Sequence, residues 1–222
     1  MTPKERLIHI IATTPGVMKI GPVYATSGIV VPVIPDLRKL YSLPRALKLI
    51  ASLLTKEARK LNIKLLAGIE TAGIPLVGAM SVLSGIPMVY VRKQPHTGWN
   101  RSIIEGLYIP KMRTALVDDA LTIGKQKAYF IRTLKNELRV KAVLVIWDSN
   151  YPTRFRAPIA KYHVTVRALV TKFEVMGYMR KKKLMHEDTY RVMKAQTENP
   201  THWHQEAKDW KQLLKIRRRG TL

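Results

Sequence analysis

The stretch that most constrains the chain is Thr114-Ala-Leu-Val-Asp-Asp-Ala-Leu-Thr-Ile-Gly-Lys-Gln126. Its apolar run, 115–117, has the length of a buried strand rather than a helix. Asp118 and Asp119 close the run, Thr122 and Gly124 supply a small-residue turn, and residues 125–134 have helical character. Strand, acidic pair, turn and helix in that order describe the carboxyl end of a strand in an open α/β sheet, where such sheets hold ligands. Backbone N–H groups at a helix start can hold a phosphate, and neighbouring carboxylates can accept hydrogen bonds from two sugar hydroxyls. An ordinary strand end with two solvated aspartates fits the same residues, since one such unit is a weak signal.

The same alternation recurs around this unit. Residues 1–16 read as a short helix with Leu7, Ile8 and Ile11 on one side, ended by Thr14-Pro15-Gly16. Residues 17–33 are rich in β-branched side chains and broken by Gly21, Gly28 and Pro32, which predicts a hairpin-like arm. Leu47, Ile50, Leu54 and Leu61 recur at helical spacing, with Ser42 as cap and Pro44 in the first turn. Residues 65–69 read as a strand ending in Glu70-Thr71-Ala72-Gly73, a turn whose glycine lets the backbone approach a pyrophosphate. A helix over 74–83 and strands over 88–91, 108–110, 140–147 and, at a sheet edge, 163–169 follow. Residues 94–102 read as a loop, and helical patterns fill 172–195. Together these predict an α/β fold: a mainly parallel twisted sheet flanked by helices, with a small N-terminal arm. Residues 1–197 are assigned to that domain and 198–222 to a basic C-terminal helical extension. Trp203 and Trp210 of the extension either stack on single-stranded nucleic acid or pack on the domain.

Charge is the feature that a small-molecule enzyme does not need. The 222 residues hold 39 Lys and Arg against 15 Asp and Glu, a formal net charge of +24. Such an excess concentrates polyanions and favours salt-sensitive binding to RNA or DNA; a solubility adaptation is the alternative. The absence of cysteine excludes disulfides and thiolate metal sites. No apolar run reaches the roughly 18 residues that span a bilayer, and the amino terminus lacks a signal pattern, so a cytoplasmic protein with no membrane partner is expected.

Segment 114–126 resembles the phosphoribosyl-pyrophosphate (PRPP) signature of the type I phosphoribosyltransferases: apolar residues, an acidic pair, then a Thr-Thr-Gly-Gly-like loop. Gly68-Ile-Glu-Thr-Ala-Gly-Ile-Pro75, Val89-Tyr-Val-Arg-Lys-Gln-Pro95, Ile104-Glu-Gly106, and Thr26-Ser27-Gly28 with Asp36-Leu37-Arg38 resemble orotate phosphoribosyltransferase. The pieces keep that family's order and spacing over about residues 17–195. The resemblance implies a homodimer that binds PRPP with Mg²⁺ and transfers its phosphoribosyl group to a pyrimidine-like base. It assigns Arg92, Lys93, Asp118, Asp119, Thr122, Gly124 and Lys125 to PRPP, and Thr26 and Ser27 to the base side. It assigns no residue as a dedicated metal ligand.

Several positions depart from the family pattern. Ile123, Lys125 and Gln126 stand where a second Thr, a second Gly and a Thr or Ser are common. Each lost hydroxyl removes a donor to phosphate, at about 1.5–3 kcal/mol for a bond to a charged group. Lys125 either offsets that loss with its charge or obstructs the loop. With no gap between Lys93 and Glu105, His96 falls on the family's catalytic Lys and Gly98 on its His, with Arg101 nearby as a second cation. Ala72 stands where some members have Lys, Ile29 where Lys or Arg is frequent, and Ser149 where an Arg binds the carboxylate of orotate. Two functions follow: a PRPP-dependent transferase with altered base specificity, or a catalytically weakened relative acting as a nucleic-acid-binding or structural protein.

Overall fold

In the computed structural model, which describes residues 1–24, 30–95, 102–205 and 207–219, α1 (Pro3–Thr13) opens on a capping box. The Thr2 hydroxyl accepts from the Glu5 N–H and the Glu5 carboxylate accepts from the Thr2 N–H. β1 (Met18–Tyr24) and β2 (Val30–Pro35) pair antiparallel as a separate hairpin. A 3-10 turn (Leu37–Ser42) leads into α2 (Pro44–Lys60). The chain then alternates through β3 (Leu65–Ile69), α3 (Gly73–Ser84), β4 (Met88–Val91), a short β5 (Ile104–Glu105), β6 (Arg113–Leu121), α4 (Lys125–Leu134) and β7 (Arg139–Asp148). A four-residue α5 (Ala157–Ala160), β8 (Thr165–Thr171), α6 (Lys172–Lys181), α7 (Glu187–Glu198) and α8 (Ala207–Arg219) complete it.

Six strands form one sheet in the order β5-β4-β3-β6-β7-β8. All neighbours are parallel except β4 and β5. β3 and the centre of β7 are apolar without alternation because helices cover both faces of a parallel sheet. On one face, Ile50, Leu54, Val77 and Met176 from α2, α3 and α6 bury against Leu66, Val117 and Leu144. On the other, Phe130, Ile131 and Leu134 of α4 bury against Leu116, Val143 and Val145. Each such side chain contributes about 1.5–3 kcal/mol on burial.

Two local expectations change. Ser42 does not cap α2: it closes the 3-10 turn, and Leu43 occupies the cap position with no side-chain bond. Leu43 is held extended because it precedes Pro44, whose ring excludes the helical conformation one residue earlier. Residues 108–110 form no strand; Pro110 and the positive φ of Lys111 (62°) make a turn there, and the edge pairing falls earlier, on β5. The edge strand expected near 163–169 is β8.

The hairpin stands over the carboxyl end of the sheet on a support from the C-terminal helices. Val30 is buried with Val192, Trp203 and Leu213, and the Trp203 indole N–H donates to Val30 O at 2.8 Å. The next residue, Val31, faces the other way and is buried with Ile123 and Tyr151.

Candidate active site

From β3 the chain winds through β4 and β5 on one side, then crosses to β6, β7 and β8 on the other. Winding therefore reverses between β3 and β6, and a crevice opens beyond the carboxyl ends of those two strands. Two turns border it, 70–73 after β3 and 122–124 after β6.

Successive strand residues point to opposite faces, so Asp118 and Asp119 diverge. Asp118 is buried towards α4, where its Oδ2 lies 2.6 Å from Lys127 Nζ, and its Oδ1 accepts from the Asp119 N–H. Asp119 faces Tyr41 and is less buried; among the described residues no cation lies within ion-pair distance of it. Burial, and then the charge of Asp118, push the Asp119 carboxyl up to about 6, against the opposing pull of Lys127. Tyr41 donates to Ala72 O at 3.0 Å and so ties the crevice wall to the turn after β3. Burial and the two aspartates raise its hydroxyl above the usual range for tyrosine.

The turn after β6 ends on Gly124, the N-cap of α4 at φ +85°, and among the described residues no side chain caps that helix. A Cβ at Gly124 would come 2.9 Å from Ile159 of α5, so space and dihedral both demand glycine. The first-turn N–H groups of α4 are thus left for an anion at the positive end of the helix. Thr122 is half-buried and Lys125 is exposed. Ile123 is buried beneath the hairpin, replacing a hydroxyl with an apolar contact.

The opposite turn is drawn tight against the sheet. A Cβ at Gly73 would run into Val117 O, so α3 can begin this close to β6 only with glycine there. The Lys93 N–H donates to Glu70 Oε2 at 2.9 Å, joining the ends of β3 and β4. Lys93 is exposed; Arg92 is half-buried, with one guanidinium nitrogen 3.9 Å from Glu105 and a buried Nε that has no hydrogen-bond partner among the described residues. The structure therefore brings Arg92, Lys93, Asp118, Asp119, Thr122, Gly124 and Lys125 to one end of the sheet. His96, Arg101, Thr26 and Ser27 lie outside the described residues.

Sequence reasoning missed Lys127, Tyr41, Lys172 and Gln196. Lys127 is the clearest: it shares the apolar face of α4 with Phe130, Ile131 and Leu134, at helical steps that mark a lysine turned inward. At the end of β7, Asp148 pairs with Arg156, and buried Ser149 accepts from the Trp147 indole at 3.3 Å. Behind Tyr151, Gln196 Nε2 donates to the tyrosine oxygen at 2.6 Å while Lys172 Nζ donates to Gln196 Oε1 at 2.9 Å. Lys172 is buried, which pushes its amine down to about 7. Among the described residues no group of three or more His, Cys, Asp or Glu side chains could hold a metal ion. No helix among them is long and apolar enough to cross a membrane.

Orotate phosphoribosyltransferase from Agrobacterium fabrum is 30% identical over 188 residues, covering 82% of this chain and 81% of that protein. The chain belongs to the orotate phosphoribosyltransferase branch of the type I phosphoribosyltransferase family. Leishmania donovani UMP synthase shares the phosphoribosyltransferase fold with a TM-score of 0.75 at 24% identity, over 86% of this chain and 41% of that longer one. Mycobacterium tuberculosis orotate phosphoribosyltransferase, solved with PRPP bound, superposes with a TM-score of 0.61 at 19% identity, over 79% of this chain and 99% of that one. No protein-family model matches the chain.

Proposed function

We propose that the protein binds PRPP in the crevice between β3 and β6 and transfers its phosphoribosyl group to a pyrimidine-like base. The observation that carries this reading is the uncapped start of α4 behind Gly124, beside two inequivalent aspartates at the point where the sheet reverses its winding. The 5′-phosphate accepts from the first N–H groups of α4 and from Thr122, with Lys125 at the rim. Asp119 accepts from a ribose hydroxyl; Asp118, held by Lys127, orients it through the N–H bond between the two aspartates. Pyrophosphate sits between the turn 70–73 and the cations Arg92 and Lys93.

Mg²⁺ brought by PRPP would help neutralise the departing pyrophosphate. A small hard cation takes one or two carboxylates and completes its shell with phosphate oxygens and water, so a dedicated cage is not needed. Asp119 is the carboxylate that fits, because Asp118 is already neutralised by Lys127. His96 and Arg101 act on the departing pyrophosphate, where a positioned charge is commonly worth about 10²–10³ in rate. Thr26 and Ser27 contact the base. In the transfer, a ring nitrogen of the base bonds to the anomeric carbon as the bond to pyrophosphate breaks, and the ring N–H proton passes to pyrophosphate or water.

The partner subunit completes the assembly as a homodimer. Val82 of α3 (88% exposed) and Leu107 beyond β5 (95% exposed) offer the apolar surface a second copy would cover. A second reading, nucleic acid held on the basic surface, is favoured by one observation: among the described residues, Arg45, Lys48, Lys56 and Arg59 on the exposed side of α2 have no carboxylate within ion-pair distance.

The test is pyrophosphate release from PRPP and Mg²⁺ with a panel of pyrimidine bases. Release with at least one base, lost in Asp119→Asn, supports the transferase; no release with any base, despite PRPP binding, leaves the weakened-relative reading.

A further inference from the structure

Resting on the nucleic-acid reading, we propose that the outer side of α2 and the cleft at its C-terminal end form a track for a nucleic-acid phosphate backbone. The track starts at Arg45, near the crevice wall that Tyr41 helps form, and runs along α2 to the opposite end of the sheet. Arg45, Lys48, Ser52, Lys56 and Arg59 are all exposed, and their steps of three and four residues align them in one stripe. At 1.5 Å per residue the stripe is about 21 Å long. Glu57, the acidic residue of α2, is already held by Lys60 at 2.6 Å and Arg167 at 3.8 Å. Among the described residues no carboxylate lies within ion-pair distance of Arg45, Lys48, Lys56 or Arg59. Like charges at these spacings repel and weaken the free helix, and a row of phosphates relieves that repulsion.

The stripe runs into an open cleft of about 310 Å³ between the ends of α2 and α3, lined by Arg59, Asn62, Lys64, Gly85, Ile86 and Pro87. Beyond it, the amino-terminal ends of three adjacent parallel strands each carry a cation: Lys64 before β3, Arg113 on β6 and Arg139 on β7. Arg113 and Arg139 are register partners, and the Lys64 N–H donates to Arg113 O. Glu137, near this edge, accepts from the Tyr108 hydroxyl. The positive surface thus continues from α2 across the end of the sheet, while the PRPP turns sit at the strands' other ends.

The chemistry also says how such a partner is read. The α2 segment contains no aromatic residue, so bases have nothing to stack on and the contacts go to phosphates. Binding is therefore tolerant of sequence and steep in salt.

Fluorescence anisotropy with labelled 20-nucleotide single-stranded RNA, single-stranded DNA and duplex DNA, titrated at several salt concentrations, tests this. The triple variant Lys48→Gln/Lys56→Gln/Arg59→Gln should weaken binding roughly 10- to 100-fold near 0.1 M salt and cut the log–log salt slope by about 2–3. The control Lys181→Gln/Lys182→Gln/Lys183→Gln removes equal charge from the exposed end of α6 and should change binding less than about threefold. Unchanged circular dichroism verifies the fold of both. Single-strand preference or duplex preference identifies the source of the backbone, and either supports the track. Equal loss in both variants overturns it in favour of diffuse charge attraction. Displacement of the oligonucleotide by PRPP overturns the separation of the two sites. Absence of binding at low salt ends the nucleic-acid reading itself and leaves the transferase reading untouched.

Discussion

Replacing Lys172 by methionine isolates the energetic consequence of one buried amine. Lys172 is the first residue of α6, where the helix dipole also disfavours a positive charge. Its neighbours are Gln196, the backbone oxygen of Met193 and the rings of Tyr151 and Phe173, with no carboxylate among them. Burial lowers its pKa from 10.5 to about 7. The unfolded chain therefore binds a proton that the folded protein lacks over this whole interval, and stability rises with pH across it. At about 1.4 kcal/mol per pH unit, keeping this lysine inside costs roughly 5 kcal/mol at pH 7 and below, and about 2 kcal/mol at pH 9. Methionine removes that cost but leaves Gln196 Oε1 without its donor, a loss of about 1–3 kcal/mol. Lys172→Met should therefore stabilise the protein by about 2–3 kcal/mol at pH 7, the gain vanishing near pH 9. Urea unfolding of both proteins at closely spaced pH values reads this directly. Parallel stability–pH curves for the two proteins would mean that burial does not lower the proton affinity of Lys172.

The buried pair of Asp118 and Lys127 makes a further prediction: Lys127→Met leaves a carboxylate uncompensated and should lower the urea-derived stability by about 3–5 kcal/mol. The double change with Asp118→Asn should lose less than Lys127→Met alone. Gly124→Ala, forced to a left-handed dihedral and against Ile159, should cost at least about 1–2 kcal/mol and lower the melting temperature. Asp119 protonates as pH falls through about 6, so PRPP·Mg²⁺ affinity measured by calorimetry should fall with pH below that, and Asp119→Asn should flatten the dependence to the part that the substrate's own phosphates contribute. Val82→Asp should shift the sedimentation profile from dimer to monomer without changing the far-ultraviolet spectrum.

The sheet was legible because its strands are short apolar runs bounded by turns, and a parallel sheet buried on both faces leaves little else that such runs can be. The turn after β6 was legible because glycine, paired aspartates and a following helix each have a local physical role. Its electrostatic wiring was not. Lys125 drew attention as the residue in a glycine position, yet it points to solvent, while Lys127 neutralises Asp118 from the buried face of α4. Only the helical phase of Lys127 with Phe130, Ile131 and Leu134 could have flagged it. Tyr41 and Arg156 act across the fold, on Ala72 and Asp148, and no local pattern joins residues so far apart or on separate turns. The apparent detachment of residues beyond 198 came from the break at Asn199-Pro200; the structure packs Trp203 against the hairpin because its indole finds both an apolar pocket and a free carbonyl there.

The turn from Gly124 into α4 is proposed to hold a sugar phosphate. Thermal unfolding in the presence of Mg²⁺ and increasing PRPP measures it most directly. At about 100 times the dissociation constant, a ligand bound only by the folded state adds about 2.7 kcal/mol, which for a chain of this size raises the melting temperature by roughly 5–10 °C. The expected result is a saturable rise of that order, much reduced in Asp119→Asn. A melting temperature unmoved by millimolar PRPP would contradict it.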